Sequence, residues 1–404
     1  VGSDFFSLST VKQLSLYIHV PFCTHKCAYC DFFSTDAADN ATIETIISET
    51  LLQTEYFLQL LDPQEVVSVY IGGGTPSSIA CEQFRTLLRN LSALGVRPTR
   101  EYTVEANPET LDEEFLKICD TAGVTRLSLG IQSFHHTLRS AIGRTVSDRD
   151  IDRALRLVAK KWHGELNLDI LTGLPGETLR QARSDITRAL SYAPSHVSCY
   201  TLTVEPGTGL DTQVKRGAVV LPAGAEQDRL WFAAGKMLTL AGYNHYEISN
   251  FARPGRESVH NLRYWLLEPY LGVGPAAVST LPGKDHGVVR INNPRDLQAF
   301  LRGKTSFWGI TQETIHPDEL LFEQLMLGFR LEHGIPAALF QKRFGRPLPE
   351  LLPRLWDSWR GRGLVGQRPG AYCLTLRGRL ILNRLLRELS MGGPGPEEIN
   401  ATWP

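Results

Sequence analysis

Six short apolar runs with strand character punctuate the first half of the chain, and segments with helical spacing separate them. The runs are LSLYIHV (14–20), SVYIGGG (68–74), EYTVEAN (101–107), RLSLGIQ (126–132), LNLDILTGLP (166–175) and HVSCYTLTVEP (196–206). After the first run, Ile43, Ile46, Ile47, Leu51 and Tyr56 repeat on one helical face, and a later segment, DEEFLKICDTAG, closes on Gly123 as a helix end does. Parallel strands cannot be joined by a tight turn, so strand and helix in alternation imply parallel pairing with helical crossovers. The strands read as apolar on both faces, as strands buried between two layers are. Six units fall short of the eight that close a TIM barrel. The expected class is α/β, an open, partial (β/α)6 TIM-like barrel.

In such a barrel functional groups sit at the carboxyl ends of strands. Here those ends carry a cysteine loop, then Gly72-Gly73-Gly74-Thr75, Glu105, Gln132, Asp169 and Thr203. From about residue 207 the rhythm stops, and residues 207–300 mix helical stretches with a Gly/Pro-rich loop region that includes HNLRYWLLEPYLGVGPAAVS (260–279). Beyond about residue 308, three helical segments, a hairpin-like GQRPGAYCLTL and a closing helix outline a mainly helical, winged-helix-like domain. A chain of 404 residues exceeds one ordinary compact core. The expected division is a barrel core at 1–206, a barrel extension at 207–307 and a C-terminal domain at 308–404.

Charge excludes one broad class of partner. With 42 Lys and Arg against 43 Asp and Glu there is no global field to draw nucleic acid or an anionic membrane. Cys81, Cys119, Cys199 and Cys373 are scattered through apolar segments as core residues are, the pattern of a reduced, intracellular chain. The opening VGSDFFSLSTVKQLS has neither signal nor transit character, its first residue being Val is expected of a trimmed chain, and no run approaches the roughly 20 apolar residues of a membrane span. A cytoplasmic location is expected.

Cys23, Cys27 and Cys30 stand within eight residues, in the loop after the first strand. Soft thiolates bunched this way ligate metal or an iron–sulfur cluster. A zinc site would want a fourth ligand, and His19 or His25 is the candidate. Three thiols on a four-iron cluster leave one iron open to a small molecule bearing an amine and a carboxylate.

At this point the chain resembles the radical S-adenosylmethionine (SAM) superfamily, whose signature is C-x3-C-x2-C in the loop after the first strand of a partial barrel. In that family an electron from the cluster cleaves SAM to methionine and a 5′-deoxyadenosyl radical, while the protein supplies position and shielding. YIHVPFC, GGGTPS, EANP, GIQSF, NLDILTGLP, YEISNFA and HNLRYW narrow the resemblance, over residues 17–265, to the branch holding the oxygen-independent (HemN-like) coproporphyrinogen III dehydrogenases and the HemW-type haem chaperones. The resemblance implies a 4Fe-4S cluster on Cys23, Cys27 and Cys30. It implies SAM flanked by Tyr17 and Tyr29, with Gly73, Gly74, Thr75, Glu105, Gln132, Arg144 and Asp169 lining the rest of the pocket and a second SAM subsite left open. The structural alternatives are that Glu105 and Asp169 are carboxylates hydrogen-bonded to backbone, a reading that weighs less than the ligand role, that Arg144 and Gln132 are solvated, and that the tyrosines are packing aromatics.

Two features divide the branch. The dehydrogenase type adds a further cysteine, as C-x3-C-x2-C-x-C, and a longer N-terminal extension; here Phe32 stands at that place and the first cysteine is already residue 23. His260-Asn261-Leu262-Arg263-Tyr264-Trp265 matches the HNxxYW associated with haem in the chaperones: a neutral imidazole for the iron, two aromatic faces for the porphyrin and an arginine for a propionate. The alternative for His260 is a helix cap with aromatics packed in an interface. His245 is a secondary haem candidate, and His163, His196, His286, His316 and His333 read as structural. Three functions stay open: a haem chaperone with a haem donor and an acceptor such as a respiratory haem enzyme; a coproporphyrinogen III oxidative decarboxylase of porphyrin biosynthesis; and a cluster-bearing regulator using the basic stretch 342–388. No nucleic acid is expected, and peripheral membrane contact and homodimerisation are left open.

Overall fold

The computed structural model describes residue 6 and residues 8–284, 287–302 and 307–393. Its first half is built from β1 (Gln13–Val20), β2 (Glu65–Gly73), β3 (Glu101–Ala106), β4 (Arg126–Gln132), β5 (Glu165–Thr172) and β6 (His196–Thr201). Crossing between them are α1 (Asn40–Leu61), α2 (Cys81–Ala93), α3 (Glu113–Thr121), α4 (His136–Ala141), α5 (Asp148–Lys161) and α6 (Leu179–Ser191). The six strands pair in chain order, all parallel. Helix starts are written in the sequence: Asp39, Asp112, Ser147 and Thr178 each accept a backbone N–H of the first turn of α1, α3, α5 and α6.

The strands are not apolar on both faces. Leu14, Leu16 and Ile18 of β1, Val69 and Ile71 of β2, and Leu127, Leu129 and Ile131 of β4 are buried in the main hydrophobic core. The alternate positions Ser68, Thr103, Glu105, Arg126, Ser128, Asn167, Asp169, His196 and Ser198 are polar, and those of them at 103, 105, 126, 128, 167, 169, 196 and 198 line an internal cavity. Period-two alternation puts every second side chain on one face. The barrel is therefore a shell with a polar interior and an apolar outer wall against its helices.

Residues beyond 207 also depart from the loop-rich expectation. After α7 (Gly209–Lys215) and α8 (Gly224–Leu240), β7 (Asn244–His245) and β8 (Asn250–Ala252) extend the sheet antiparallel beyond β6. Then come α9 (Val259–Trp265), β9 (Tyr270–Val273), β10 (Val278–Pro282), β11 (Val288–Asn292), α10 (Leu297–Arg302) and β12 (Thr311–Ile315). β9 pairs parallel with β1 and β10 to β12 continue antiparallel, so β1 to β12 form one open sheet. These strands are two to five residues long, too short to show a period in sequence. His286 lies outside the described residues.

A second core belongs to α11 (Pro317–Gly328), β13 (Ile335–Pro336), α12 (Ala337–Phe344), α13 (Leu348–Leu351), α14 (Pro353–Gly361), β14 (Ala371–Tyr372), α15 (Leu376–Leu380) and α16 (Leu382–Gly392). Helices with the small β13–β14 ladder give the winged-helix-like outline. Trp356, Trp359, Phe329 and Phe340 fill this core, and Leu267 and Val288 from the barrel side enter it. Arg290 on β11 donates twice to Glu323 on α11, at 2.8 and 2.7 Å. No helix among the described residues is long and apolar enough to cross a membrane.

Candidate functional site

The cysteine loop lies across the carboxyl ends of the strands because three neighbours hold its backbone. Gly74 N–H donates to Val20 O at 2.8 Å and Thr75 N–H to Phe22 O at 2.7 Å. Ala28 N–H donates to Ile142 O at 3.1 Å, and Leu210 N–H to Ala28 O at 2.7 Å. The glycine run serves this approach: a Cβ on Gly74 would stand 2.5 Å from the Phe22 carbonyl oxygen. Gly73 has φ +105°, and a Cβ there would meet the His19 ring at 2.4 Å.

Below the loop a cavity of about 340 Å³ opens into the barrel. All residues named from sequence for cluster and SAM line it except Tyr17; His260, the haem candidate, does not line it either. Tyr17 stands one layer behind, its hydroxyl bonded to His19 Nδ1 at 3.0 Å. His19 Nε2 bonds Phe33 O at 2.8 Å, so both ring nitrogens are engaged and His19 is withdrawn from the zinc alternative. Thr203 is exposed and off the cavity.

Among the cysteines, Cys23 Sγ is 3.6 Å from Thr75 Oγ1 and Cys27 Sγ is 3.8 Å from Arg144 Nη1. Burial pushes the Cys30 thiol up to about 11 and raises Cys23 as well. Among the described residues no group of three His, Cys, Asp or Glu side chains is preassembled around a single ion. The donor set itself fits a cluster: three thiols on one loop, facing a cavity that carries a buried guanidinium.

Arg144 is buried and fixed from three sides. Its Nη2 donates to Asn107 Oδ1 at 2.9 Å and to Gly130 O at 2.8 Å, and lies 3.7 Å from Glu109 Oε2. Gln132 adopts φ +61°, unusual for a residue with a side chain, and its Oε1 is buried without a partner. Such a conformation at a strand end marks a place where the fold holds a side chain against its preference. Asp169 accepts from Ser128 Oγ at 2.9 Å and Asn167 Nδ2 at 2.8 Å; burial raises its carboxyl. Glu105 accepts from the Tyr70 hydroxyl at 2.7 Å and Gly73 N–H at 3.2 Å, and burial, with Asp169 adding to it, pushes it up to about 7.

The Glu105 shift sets a stability prediction for the cluster-free protein. Between the ordinary carboxylate value of about 4.5 and about 7, the folded state keeps a proton that the unfolded state releases. Stability therefore falls as pH rises through that window, by at most roughly 3 kcal/mol from this group. Glu105→Gln, neutral throughout, is expected to flatten the slope of urea midpoints between pH 4.5 and 7.5; an unchanged slope would assign the proton to Glu177 or Glu247, which burial also pushes up to about 7.

His260 sits at the other end of the barrel. α9 packs at the amino-terminal ends of β1, β2 and β3, with Ser258 and Asn261 lining the cavity from below. His260 Nδ1 bonds Ser68 Oγ at 3.0 Å, and its ring lies 5.2 Å from that of Tyr70. Ser68 Oγ donates to Ser15 Oγ at 2.9 Å, so it accepts from an Nδ1–H on His260 and leaves Nε2 with the lone pair. Burial, with Arg263 near, lowers the His260 imidazole to about 3. Arg263 Nε donates to Ser15 Oγ at 2.7 Å, while Trp265 packs on the second core with Arg330 over its ring at 5.5 Å. His245, the secondary candidate, is stacked on Phe251 at 4.4 Å on β7. Sequence reasoning missed Tyr70, Asn107, Ser128, Asn167 and His196, the last bonded at Nδ1 to Asn167 Oδ1 (2.6 Å) and at Nε2 to Tyr246 hydroxyl (2.8 Å). The polar alternation of the strands was the signal that marked them.

An open parallel barrel with a three-cysteine loop over a polar cavity defines a radical SAM protein, and residues 17–189 match the Radical SAM superfamily. Residues 315–381 match the HemN C-terminal domain. The chain belongs to the HemW family of heme chaperones. It is 33% identical over 380 residues to heme chaperone HemW of Escherichia coli, covering 93% of this chain and 98% of that one. To heme chaperone HemW of Bacillus subtilis it is 32% identical over 376 residues, 92% and 97% of the two chains. Coproporphyrinogen III oxidase (HemN) from Escherichia coli, a radical SAM enzyme, shares the fold at a TM-score of 0.77 and 17% identity, over 95% of this chain and 91% of that one.

Proposed function

We propose that the protein is a cytoplasmic haem chaperone that binds haem and transfers it to an acceptor protein, with a 4Fe-4S cluster on Cys23, Cys27 and Cys30 and an exchangeable SAM in the cavity. The observation that carries this reading is HemW relatedness over nearly the whole chain. The bound cluster and SAM supply one-electron chemistry. The chain's own residues do the holding: Tyr29 and Thr75 flank the cysteines, Gly73 and Gly74 bring backbone to the mouth, and Glu105 and Asp169 offer carboxylates to cationic groups. Gln132 and Arg144 complete the wall. Tyr17 acts from behind through His19.

His260 is the proposed haem ligand, through Nε2, with Ser68 holding Nδ1; such a partner on the second nitrogen fixes tautomer and ring orientation. Phe32, 66% exposed at the mouth of the loop, stands where the dehydrogenase spacing has a cysteine. We also propose the division into a barrel core (1–206), an extension carrying the haem segment (207–307) and a C-terminal domain (308–404) for docking to haem donor or acceptor.

The test is anaerobic reconstitution followed by haem titration, with coproporphyrinogen III, SAM and reductant assayed in parallel. One haem per chain is expected by Soret absorbance, with no protoporphyrinogen formed. His260→Ala is expected to weaken haem binding at least about tenfold, a difference of about 1.4 kcal/mol. Undiminished binding would remove the assigned ligand, and accumulating protoporphyrinogen would make the protein the dehydrogenase instead.

A further inference from the structure

Along β2, Ser68, Tyr70 and Gly72 share the inward face. Ser68 holds His260 by Nδ1, and the Tyr70 ring lies against the His260 ring, tilted by 39°. The Tyr70 hydroxyl reaches the other way and donates to Glu105 Oε1 at 2.7 Å. Glu105 Oε2 accepts from Gly73 N–H, in the glycine run that the cysteine loop rests on. On the β1 side Tyr17 packs 6.2 Å from Tyr70, its own hydroxyl engaged by His19. Tyr70 therefore stands between the two ends of the barrel, in contact with one group from each.

We infer that Tyr70 is a positioning residue that couples haem binding at His260 to SAM binding in the cavity, an inference resting on the site reading above. A cationic group arriving at Glu105 competes for the carboxylate that anchors the phenol. The ring responds, and the imidazole packed on it responds with the ring. In the other direction, drawing His260 onto an iron shifts the surface against which Tyr70 rests. Coupling between two binding sites is a free energy and must be the same read from either ligand.

The experiment uses the full chain with its cluster reconstituted. Haem dissociation constants are measured with and without saturating SAM, and SAM constants with and without haem. The parent is expected to show the same ratio in both directions, at least about fivefold, the lower end of usual coupling. Tyr70→Phe keeps the ring beside His260 and loses the hydroxyl. In this variant the ratio is expected to collapse toward one and the SAM-induced change in the Soret band to disappear, whatever its haem affinity without SAM. A parent ratio of one, or a ratio that survives in Tyr70→Phe, overturns the inference. Full haem binding by His260→Ala would instead strike the haem-site reading itself, since it is measured without SAM.

Discussion

Cys27→Ala is expected to abolish the cluster. After anaerobic reconstitution, iron should fall from roughly four per chain to background, and the broad charge-transfer absorbance should vanish with it. On the proposed reading three thiols from one loop are the whole protein ligand set, so removing one leaves two on the same short segment, too few to hold four irons. The remaining cysteines offer no replacement: Cys119 and Cys199 are buried in the main hydrophobic core, Cys373 is buried in the C-terminal region, and Cys81 opens α2 beside Asp112. Arg144, 3.8 Å from Cys27 Sγ, also loses the thiolate that would balance its buried charge when the site is loaded. Cys81→Ala is the matched control and is expected to keep full iron content. A Cys27→Ala protein that retained four irons would show that the spacing had been misread.

The barrel and the mouth of its cavity were legible because they are written locally. Each of the first six strands is long enough to show apolar positions, the helices after β1, β3, β5 and β6 open on side-chain caps, and the cysteine loop sits in eight residues. The short strands added after residue 207 were not legible, since β8 pairs with β6 across some fifty residues of chain, with β7 added on β8, and β9 returns to β1 across more than two hundred and fifty. The polar inner face was present in the sequence as Ser68-x-Tyr70 and Glu101-x-Thr103-x-Glu105, and treating parallel strands as uniformly buried hid it. A cavity filled by ligand replaces one of the two apolar layers that parallel sheets ordinarily require. The place of His260 was also beyond the sequence. Its motif is contiguous, whereas its partners Ser68 and Tyr70 are about 190 residues away and meet it because α9 closes the floor of the barrel.

That floor is where a single substitution is expected to cost most stability. Glu101, 3% exposed at the start of β3, accepts from Ser258 Oγ at 2.9 Å, Val259 N–H at 2.7 Å and His260 N–H at 3.4 Å, which are the first donors of α9. It also accepts from Thr103 Oγ1 at 3.1 Å and lies 3.6 Å from Arg126 Nε. Arg126, 5% exposed, has Nε and Nη1 without hydrogen bonds, so Glu101 supplies its nearest negative charge by electrostatics rather than by a bond. Removing one partner of a buried ion pair strands the other charge and costs about 3–5 kcal/mol. Glu101→Ala should lower the urea midpoint by a corresponding amount and, by freeing the start of α9, weaken haem binding along with it. Replacing both charges, as in Glu101→Leu with Arg126→Leu, is expected to recover part of the stability, because no buried charge is left uncompensated. The haem defect should persist in that double variant, since the N–H groups of Val259 and His260 still lack their carboxylate. If Glu101→Ala loses less than about 1 kcal/mol, the pair is screened by water and the floor is softer than its burial indicates.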